Sequence, residues 1–367
     1  MKKVIVIFSG FNFRAVIAFI RTLEKNSLDY AIIAKSENDD IFKTKYYTKV
    51  EYVRKTKELN LDDILNGLNI IKENKKVVEC LIAPSTEALN RFYLNNSALF
   101  HGENYIMPLV KKREYERLSD KLAFSKLCQK YGIKTPSEYL QPSEKYLPLV
   151  AKPKKYLSSG GVIHSPYIID TKEEYQQFIE KNNLEDFYYQ EYVNGRCIYL
   201  LYYYDKQGNV FKLSQENYIQ QEHGKSMIYA KTSDFHDKEI SSKFESLFID
   251  EKFRGLVMVE LKVVNDSCYM IEANPRFWGP SQLFVDANYN FFELLLYDYG
   301  YLCFNKVDAS DFKNTKYFWD DGISNNISLR KKISFYNYSD KLFLEEKDTL
   351  KSIEIFNRED TNKLYGG

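Results

Sequence analysis

Glu260 and Glu272 sit in the stretch Gly255-Leu-Val-Met-Val-Glu-Leu-Lys-Val-Val-Asn-Asp-Ser-Cys-Tyr-Met-Ile-Glu-Ala-Asn-Pro-Arg276, which reads as two apolar strands around a polar turn. With Asn265-Asp266-Ser267 as the loop, Val264 faces Cys268, and counting outward sets Glu260 opposite Glu272. Side chains alternate faces along a strand, so Asn274 shares the face of Glu272. Like charges directly opposed across a ladder destabilise it. A hard divalent cation removes that repulsion, and two carboxylates with an amide oxygen suit Mg²⁺ carrying nucleotide phosphates. A two-residue turn would pair Glu260 with Ile271 instead and separate the acids, so the reading rests on register. An edge hairpin with solvated acids is the plainer account of the same residues.

Further parts of a phosphate site are spread upstream. Lys121 and Lys152 are compact charges suited to phosphate oxygens, although single lysines are usually solvated. Lys152 ends an apolar strand, where its neighbours are buried. Ser158-Ser159-Gly160-Gly161 offers backbone N–H groups without bulky side chains, the geometry that cradles phosphates, and also that of an ordinary hairpin turn. Gln190-Glu191-Tyr192-Val193 is an apolar-flanked segment whose backbone can meet an adenine edge.

Lys121, Lys152, the Ser/Gly loop, Gln-Glu-Tyr-Val-Asn-Gly and then Glu…Glu-x-Asn-Pro-Arg276 follow the order found in the ATP-grasp superfamily. The chain resembles its carboxylate–amine ligases from about Lys112 to Tyr297, and Phe277-Trp-Gly-Pro280 resembles the carbamoyl-phosphate synthase-like branch. The resemblance implies that Lys121 and Lys152 grip the α- and β-phosphates while the Ser158, Ser159, Gly160, Gly161 loop closes as a lid. It implies that Gln190, Glu191 and Val193 hold adenine and that Glu260, Glu272 and Asn274 bind one or two Mg²⁺ ions, or Mn²⁺. Arg276 and Lys152 would act on the transferring phosphoryl group, whose chemistry depends on positioning and charge neutralisation. The implied reaction joins a small-molecule carboxylate to an amine through an acyl-phosphate, releasing ADP and phosphate. A phosphotransferase and a catalytically decayed nucleotide-binding module are the alternatives. A homodimer is compatible with the resemblance.

One position departs. The family commonly has Gly-x-Glu after the adenine segment, its Glu taking the ribose hydroxyls, but here Gly195-Arg196-Cys197 supplies a thiol, a poor acceptor. Ribose recognition must then come from elsewhere or be weak, and Cys197 itself reads as a small buried hydrophobe. Lys212, Lys225 or Lys231, around the polar segment Gln220–Ser226, could bind a substrate carboxylate; a solvated loop is the alternative.

These residues need elements to hold them. Val4–Phe8, Phe13–Lys25 and Tyr30–Ala34 read as a βαβ unit, which predicts a parallel sheet with a right-handed crossover. Val77–Ala83 followed by Pro84–Arg91 repeats strand-then-helix. Ser9, Gly10, Ser85, Thr86 and Glu87, at the carboxyl ends of such strands, are substrate-site candidates, or simply turn and cap residues. Ser119–Gly132 reads as one helix with Ser119 as its N-cap and Gly132 as its left-handed stop. Tyr146–Ala151, Phe187–Val193 and Ile198–Tyr204 read as strands, with helices after Thr171 and over Phe291–Tyr301. The expected class is α/β, with α+β nucleotide domains: an ATP-grasp fold after a Rossmann-like parallel-sheet domain. The expected divisions are residues 1–108, 109–188 (helical linker and small lid subdomain), 189–305 (large subdomain with the metal site) and 306–367 (C-terminal extension).

Composition excludes little beyond this. The 367 residues are 44% hydrophobic and 28% charged with a net charge of +1, so no global field calls for nucleic acid or a membrane. No apolar run is long enough for a bilayer span. The opening apolar run stops at Phe8 without a cleavage site, which favours a first strand over a signal peptide, and the expected location is cytoplasmic. Cys80, Cys128, Cys197, Cys268 and Cys303 form no CxxC pair and read as reduced thiols; the four histidines show no metal spacing.

Overall fold

The computed structural model describes residues 2–101, 104–303, 307–323 and 333–365, so the expected division at 305/306 lies outside the described residues. The opening apolar run forms β1 (Lys3–Phe8), followed by α1 (Phe13–Lys25) and β2 (Tyr30–Ala34), as expected. β3 (Val50–Val53), α2 (Leu61–Lys75), β4 (Glu79–Ile82), α3 (Glu87–Asn95), α4 (Ser97–His101) and β5 (Tyr105–Ile106) complete the amino-terminal unit. Its sheet runs β3-β2-β1-β4-β5 with every pairing parallel. Val4–Phe8 and Tyr30–Ala34 are fully buried, which explains why both read as unbroken apolar runs rather than alternating ones. Strand order reverses between β1 and β4, so the loops after these two strands emerge side by side at one end of the sheet.

The expected helix over Ser119–Gly132 is two helices, α5 (Lys112–Ser119) and α6 (Lys121–Lys130), broken at an extended Asp120. Ser119 therefore ends a helix instead of capping one. Its Oγ and the Asp120 carboxylate both accept from the Arg91 guanidinium, at 2.8 and 2.5 Å, and that pull straightens the chain. Gly132 does stop α6, at φ +62. The break makes Lys121 the first residue of α6.

Next come β6 (Glu138–Tyr139), β7 (Leu149–Pro153), β8 (Tyr167–Ile169), α7 (Lys172–Lys181, started by a Thr171/Glu174 capping box) and β9 (Phe187–Glu191). They form an antiparallel sheet, β6-β9-β7-β8. Tyr146, expected to begin β7, belongs to a preceding turn of 3₁₀ helix. The large sheet is built from β10 (Arg196–Tyr204), β11 (Val210–Gln221), β12 (Met227–Ser233), β13 (Gly255–Val264), β14 (Ser267–Asn274), β15 (Lys316–Phe318) and β16 (Ile333–Phe335). Its order is β14-β13-β10-β11-β12-β15, with β16 pairing the end of β11. One face (Ile198, Leu200, Tyr202, Val257, Val259) packs on α6 and on α8 (Glu239–Asp250). The other (Tyr199, Leu201, Tyr203, Met258) shares a core with α1, Trp278, α9 (Gln282–Asp286) and α10 (Phe291–Asp298). All five cysteines are unpaired, and no described helix is long and apolar enough to cross a membrane.

The carboxyl-terminal segment is tied back to the first helix. Arg21 on α1 makes a bidentate pair with Asp360 (2.7 and 3.0 Å) and donates to the Ile355 carbonyl, the Thr361 hydroxyl and Gln282. Both partners are largely shielded, so removing one leaves a poorly solvated charge. Arg21→Ala should therefore lower unfolding free energy by about 3 kcal/mol, read as a shift in urea midpoint; an unchanged midpoint would show that the tether carries no stability.

Candidate functional site

The β13–β14 hairpin turns through Asn265 and Asp266 alone, both left-handed (φ 43 and 64), so Val264 pairs with Ser267 rather than Cys268. By counting, that two-residue turn would separate the two acids. A β-bulge restores them: the register jumps between Leu261↔Met270 and Glu260↔Glu272, leaving Ile271 unpaired. Glu260 and Glu272 are therefore directly opposed, as expected, through a two-residue turn plus one bulge instead of a three-residue loop. The bulge also frees the Ile271 carbonyl, which accepts from Lys152 Nζ at 2.9 Å.

Three elements converge on this pair. Lys121, starting α6, bonds the Glu272 carboxylate. Lys152, on β7 of the small sheet, is only 6% exposed and lies over the bulge. Asn274 ends β14 and Arg276 lies in the segment that follows it: Asn274 Nδ2 donates to Glu272 Oε1 (2.8 Å), and its Oδ1 accepts from Arg276 (2.9 Å). The amino-terminal unit buttresses that segment. Asn12, in the loop after β1, donates to the carbonyls of Ser85 and Phe277, and Phe277 N–H donates to the Pro84 carbonyl.

The opposed acids have different charge states. Burial pushes both up. At Glu272 the Lys121 ammonium, the Asn274 amide and Arg276 together outweigh burial and hold the carboxyl well below the usual range. No ammonium is bonded to Glu260; burial, then the Glu272 charge, raises it to about 7 against the weaker opposing pull of Lys262, the Cys197 thiol that donates to it at 3.5 Å, and Lys152. The lysines separate likewise: burial and the neighbouring Lys121 bring Lys152 down to about 8, whereas Glu272 overcomes burial and raises Lys121.

The pair sits on the wall between two cavities. A cleft of about 600 Å³ between the two antiparallel sheets is lined by Lys121, Lys152, Gln190, Glu191, Val193, Glu260, Glu272 and Arg276 among the expected residues. A second cavity, about 480 Å³, lies against the amino-terminal unit and shares Glu87, Glu260, Glu272, Arg276, Gly224 and Lys225 with the first. Asn274 lines this second cavity with Thr86 and Glu87. Of the three candidate lysines in the acceptor region, Lys225 lines both cavities, Lys212 is paired with Glu245 at 2.9 Å, and Lys231 lies over the Tyr218 and Tyr229 rings.

Ser158, Ser159, Gly160 and Gly161 do not line either cavity. Ser159 N–H and Oγ both bond Asp186 (2.9 Å), turning the loop outward, and Lys155, Tyr156 and Ile163–Pro166 line the cleft in its place. Ser9 is turned to Asp39 (2.8 Å), and Ser85 is buried. Sequence reasoning did not reach Lys262 and Tyr336, which also line the cleft; a lysine on Glu260's face, two residues on, was the available signal for the first. Among the described residues no three His, Cys, Asp or Glu side chains cluster as a metal site, and the side chains of His101 and His223 lie outside the description. Glu260 and Glu272 with the Asn274 amide oxygen make a sparse all-oxygen set, which fits Mg²⁺ if phosphates and water complete its shell.

Because Glu260 is raised in the fold, its protonation stabilises the metal-free protein below about pH 4.5, and that contribution is lost as pH rises through about 7. Glu260→Gln should remove a pH-dependent stability loss on the order of 2–3 kcal/mol between pH 5 and 7.5. Thermal unfolding at the two pH values, without divalent cation, checks this; parallel curves for both proteins would contradict the charge assignment.

A family model described as an ATP-grasp domain matches residues 118–280. Among curated proteins, none matches the chain by sequence. Rhizobium etli pyruvate carboxylase is similar over 85% of this chain but only 30% of its own length (TM-score 0.63, 13% identity). The biotin carboxylase domain dimer of Hydrogenobacter thermophilus 2-oxoglutarate carboxylase, solved with MgADP, ADP and bicarbonate, matches over 85% of this chain and 72% of that one (TM-score 0.62, 14% identity). N5-carboxyaminoimidazole ribonucleotide synthetase from Thermus thermophilus matches over 81% and 78% (TM-score 0.57, 14% identity). Likeness at such low identity shows the fold. The chain therefore carries an ATP-grasp domain at residues 118–280, within a fold shared with biotin carboxylase and N5-carboxyaminoimidazole ribonucleotide synthetase.

Proposed function

We propose that the chain is a Mg-ATP-dependent carboxylate–amine ligase that forms an acyl-phosphate and releases ADP and phosphate. The observation that carries this reading is the shared wall: the opposed carboxylates and Arg276 face a nucleotide-sized cleft on one side and a second cavity on the other. A γ-phosphoryl group held at that wall is within reach of an acceptor in the second cavity.

Gln190, Glu191 and Val193 present backbone to adenine, and Lys121 and Lys152 take phosphate oxygens, Lys152 exchanging its bond to the Ile271 carbonyl for one to phosphate. Glu260, Glu272 and Asn274 would hold the metal, whose charge would offset that of the phosphates. The Ser158–Gly161 loop swings inward to cover them, releasing Asp186, and keeps water from the acyl-phosphate. Lys225 and Arg276 receive the substrate carboxylate. A carboxylate oxygen attacks the γ-phosphorus and ADP leaves; the amine then attacks the acyl carbon, the C–O bond to phosphate breaks, and the amine gives up a proton. Arg276 stabilises charge on the transferring group. The reading divides the chain at 1–108, 109–188, 189–305 and 306–367, and includes a cytoplasmic location and a homodimer, the latter suggested by the biotin carboxylase domain dimer.

³¹P NMR with Mg-ATP and pooled carboxylates and amines tests the reaction. ADP and phosphate should appear only when both substrate types are present; ADP with a new phosphoester and no phosphate would make the protein a phosphotransferase. Glu272→Gln should slow turnover about a hundredfold or more, and unchanged turnover would remove it from the metal site. Since a proton on Glu260 competes with the metal, Mg²⁺ affinity in the presence of nucleotide should be about tenfold weaker at pH 6 than at pH 8, measured calorimetrically; pH-independent affinity would exclude Glu260 as a ligand.

A further inference from the structure

Lys262 is an unusual residue for the floor of the cleft. It is 7% exposed and follows Glu260 by two positions on the same face of β13, about 7 Å further along the strand. Across the ladder it faces Cys197, the position where the nucleotide site has no carboxylate. Among the described residues its ammonium makes no ion pair. It donates one long hydrogen bond, 3.4 Å to Gln220 Oε1, and lies 4.1 Å from the Tyr336 ring centroid. An ammonium has three donors, so most of its capacity is unused.

The surroundings hold it in place. Gln220 Nε2 donates to Cys197 Sγ (3.4 Å) and Met227 Sδ (3.0 Å), so its oxygen is presented to Lys262. Tyr336 immediately follows β16, which pairs with Ile219–Gln221, so a strand from outside the matched ATP-grasp domain sets the ring over the ammonium. In the nucleotide reading, Glu260 belongs to the phosphate end of the cleft and Gln190–Val193 to the base end; the Lys262 ammonium lies close enough to both Glu260 and Tyr192 to interact with each. In that reading its place is that of the ribose, which joins triphosphate and base.

We propose that Lys262, positioned by Gln220 and by Tyr336 of the carboxyl-terminal segment, is the residue that recognises the vicinal hydroxyls of the nucleotide ribose, donating to their oxygens. The assignment rests on the nucleotide reading of the cleft. It reverses the polarity of a carboxylate there: the protein donates and the ribose accepts.

Calorimetric binding of Mg-ATP and of Mg-2′,3′-dideoxy-ATP tests it with the full chain. The wild-type protein should bind Mg-ATP about tenfold more tightly, and Lys262→Met should bind both nucleotides alike, at the wild-type dideoxy affinity. Equal affinities in the wild-type protein would overturn the assignment without requiring a folded variant. So would a preference retained in Lys262→Met, whose melting curve reports its folding. Wild-type protein that binds neither nucleotide would overturn the nucleotide reading itself, an outcome distinct from binding without discrimination.

Discussion

Two carboxylates face each other across a β-ladder, and much of the molecule is arranged around that repulsion. An isolated hairpin would relieve it by slipping one residue, since a one-residue shift sends every side chain to the other face. Here the strands cannot slip. Val259, Leu261, Met270 and Ala273 are locked into the core beneath, so the bulge at Ile271 holds the acids in register while the apolar side chains stay buried. The bulge costs one ladder pairing, and Lys152 takes the carbonyl it leaves free.

The repulsion is resolved unequally. Lys121 settles on Glu272 and leaves Glu260 half-neutralised by burial, while Lys152, denied a carboxylate, is itself pushed toward neutrality. Such divergent charge states within one cluster are characteristic of sites that await a charged ligand. In the proposed reading, a metal–phosphate complex would bring both signs at once: cation for Glu260 and Glu272, anion for Lys121 and Lys152. Before a ligand arrives, the lysines and acids compensate one another imperfectly.

Positioning is shared among parts distant in sequence. The break at Asp120, drawn by Arg91 of α3, aims Lys121; the small sheet aims Lys152; Asn12 pins the chain leading through Arg276. The carboxyl-terminal segment, tethered through Arg21 and Asp360, supplies β15 and β16 to the large sheet and Tyr336 to the cleft. The site is thus a junction of parts as well as a feature of the matched domain. This explains why its second cavity exists only where the amino-terminal unit meets the large sheet.

Read alone, the chain revealed the residue types and their order: acids, amide and arginine within one hairpin, lysines upstream, and the βαβ opening whose apolar runs match buried parallel strands. These are local signals, carried by period and composition, and they survive without knowledge of the fold. The reason Glu260 meets Glu272 was not legible, because a bulge depends on packing beneath the strand and not on the turn residues that counting uses. The break at Asp120 was equally hidden, being imposed by an arginine on another helix. Lys262 and Tyr336 came together through β16, whose pairing with β11 closes a separation of over a hundred residues. Sequence determined which chemistry could be assembled; tertiary structure decided the charge state of each group and which distant side chains share the cleft, because burial and long-range contact set both.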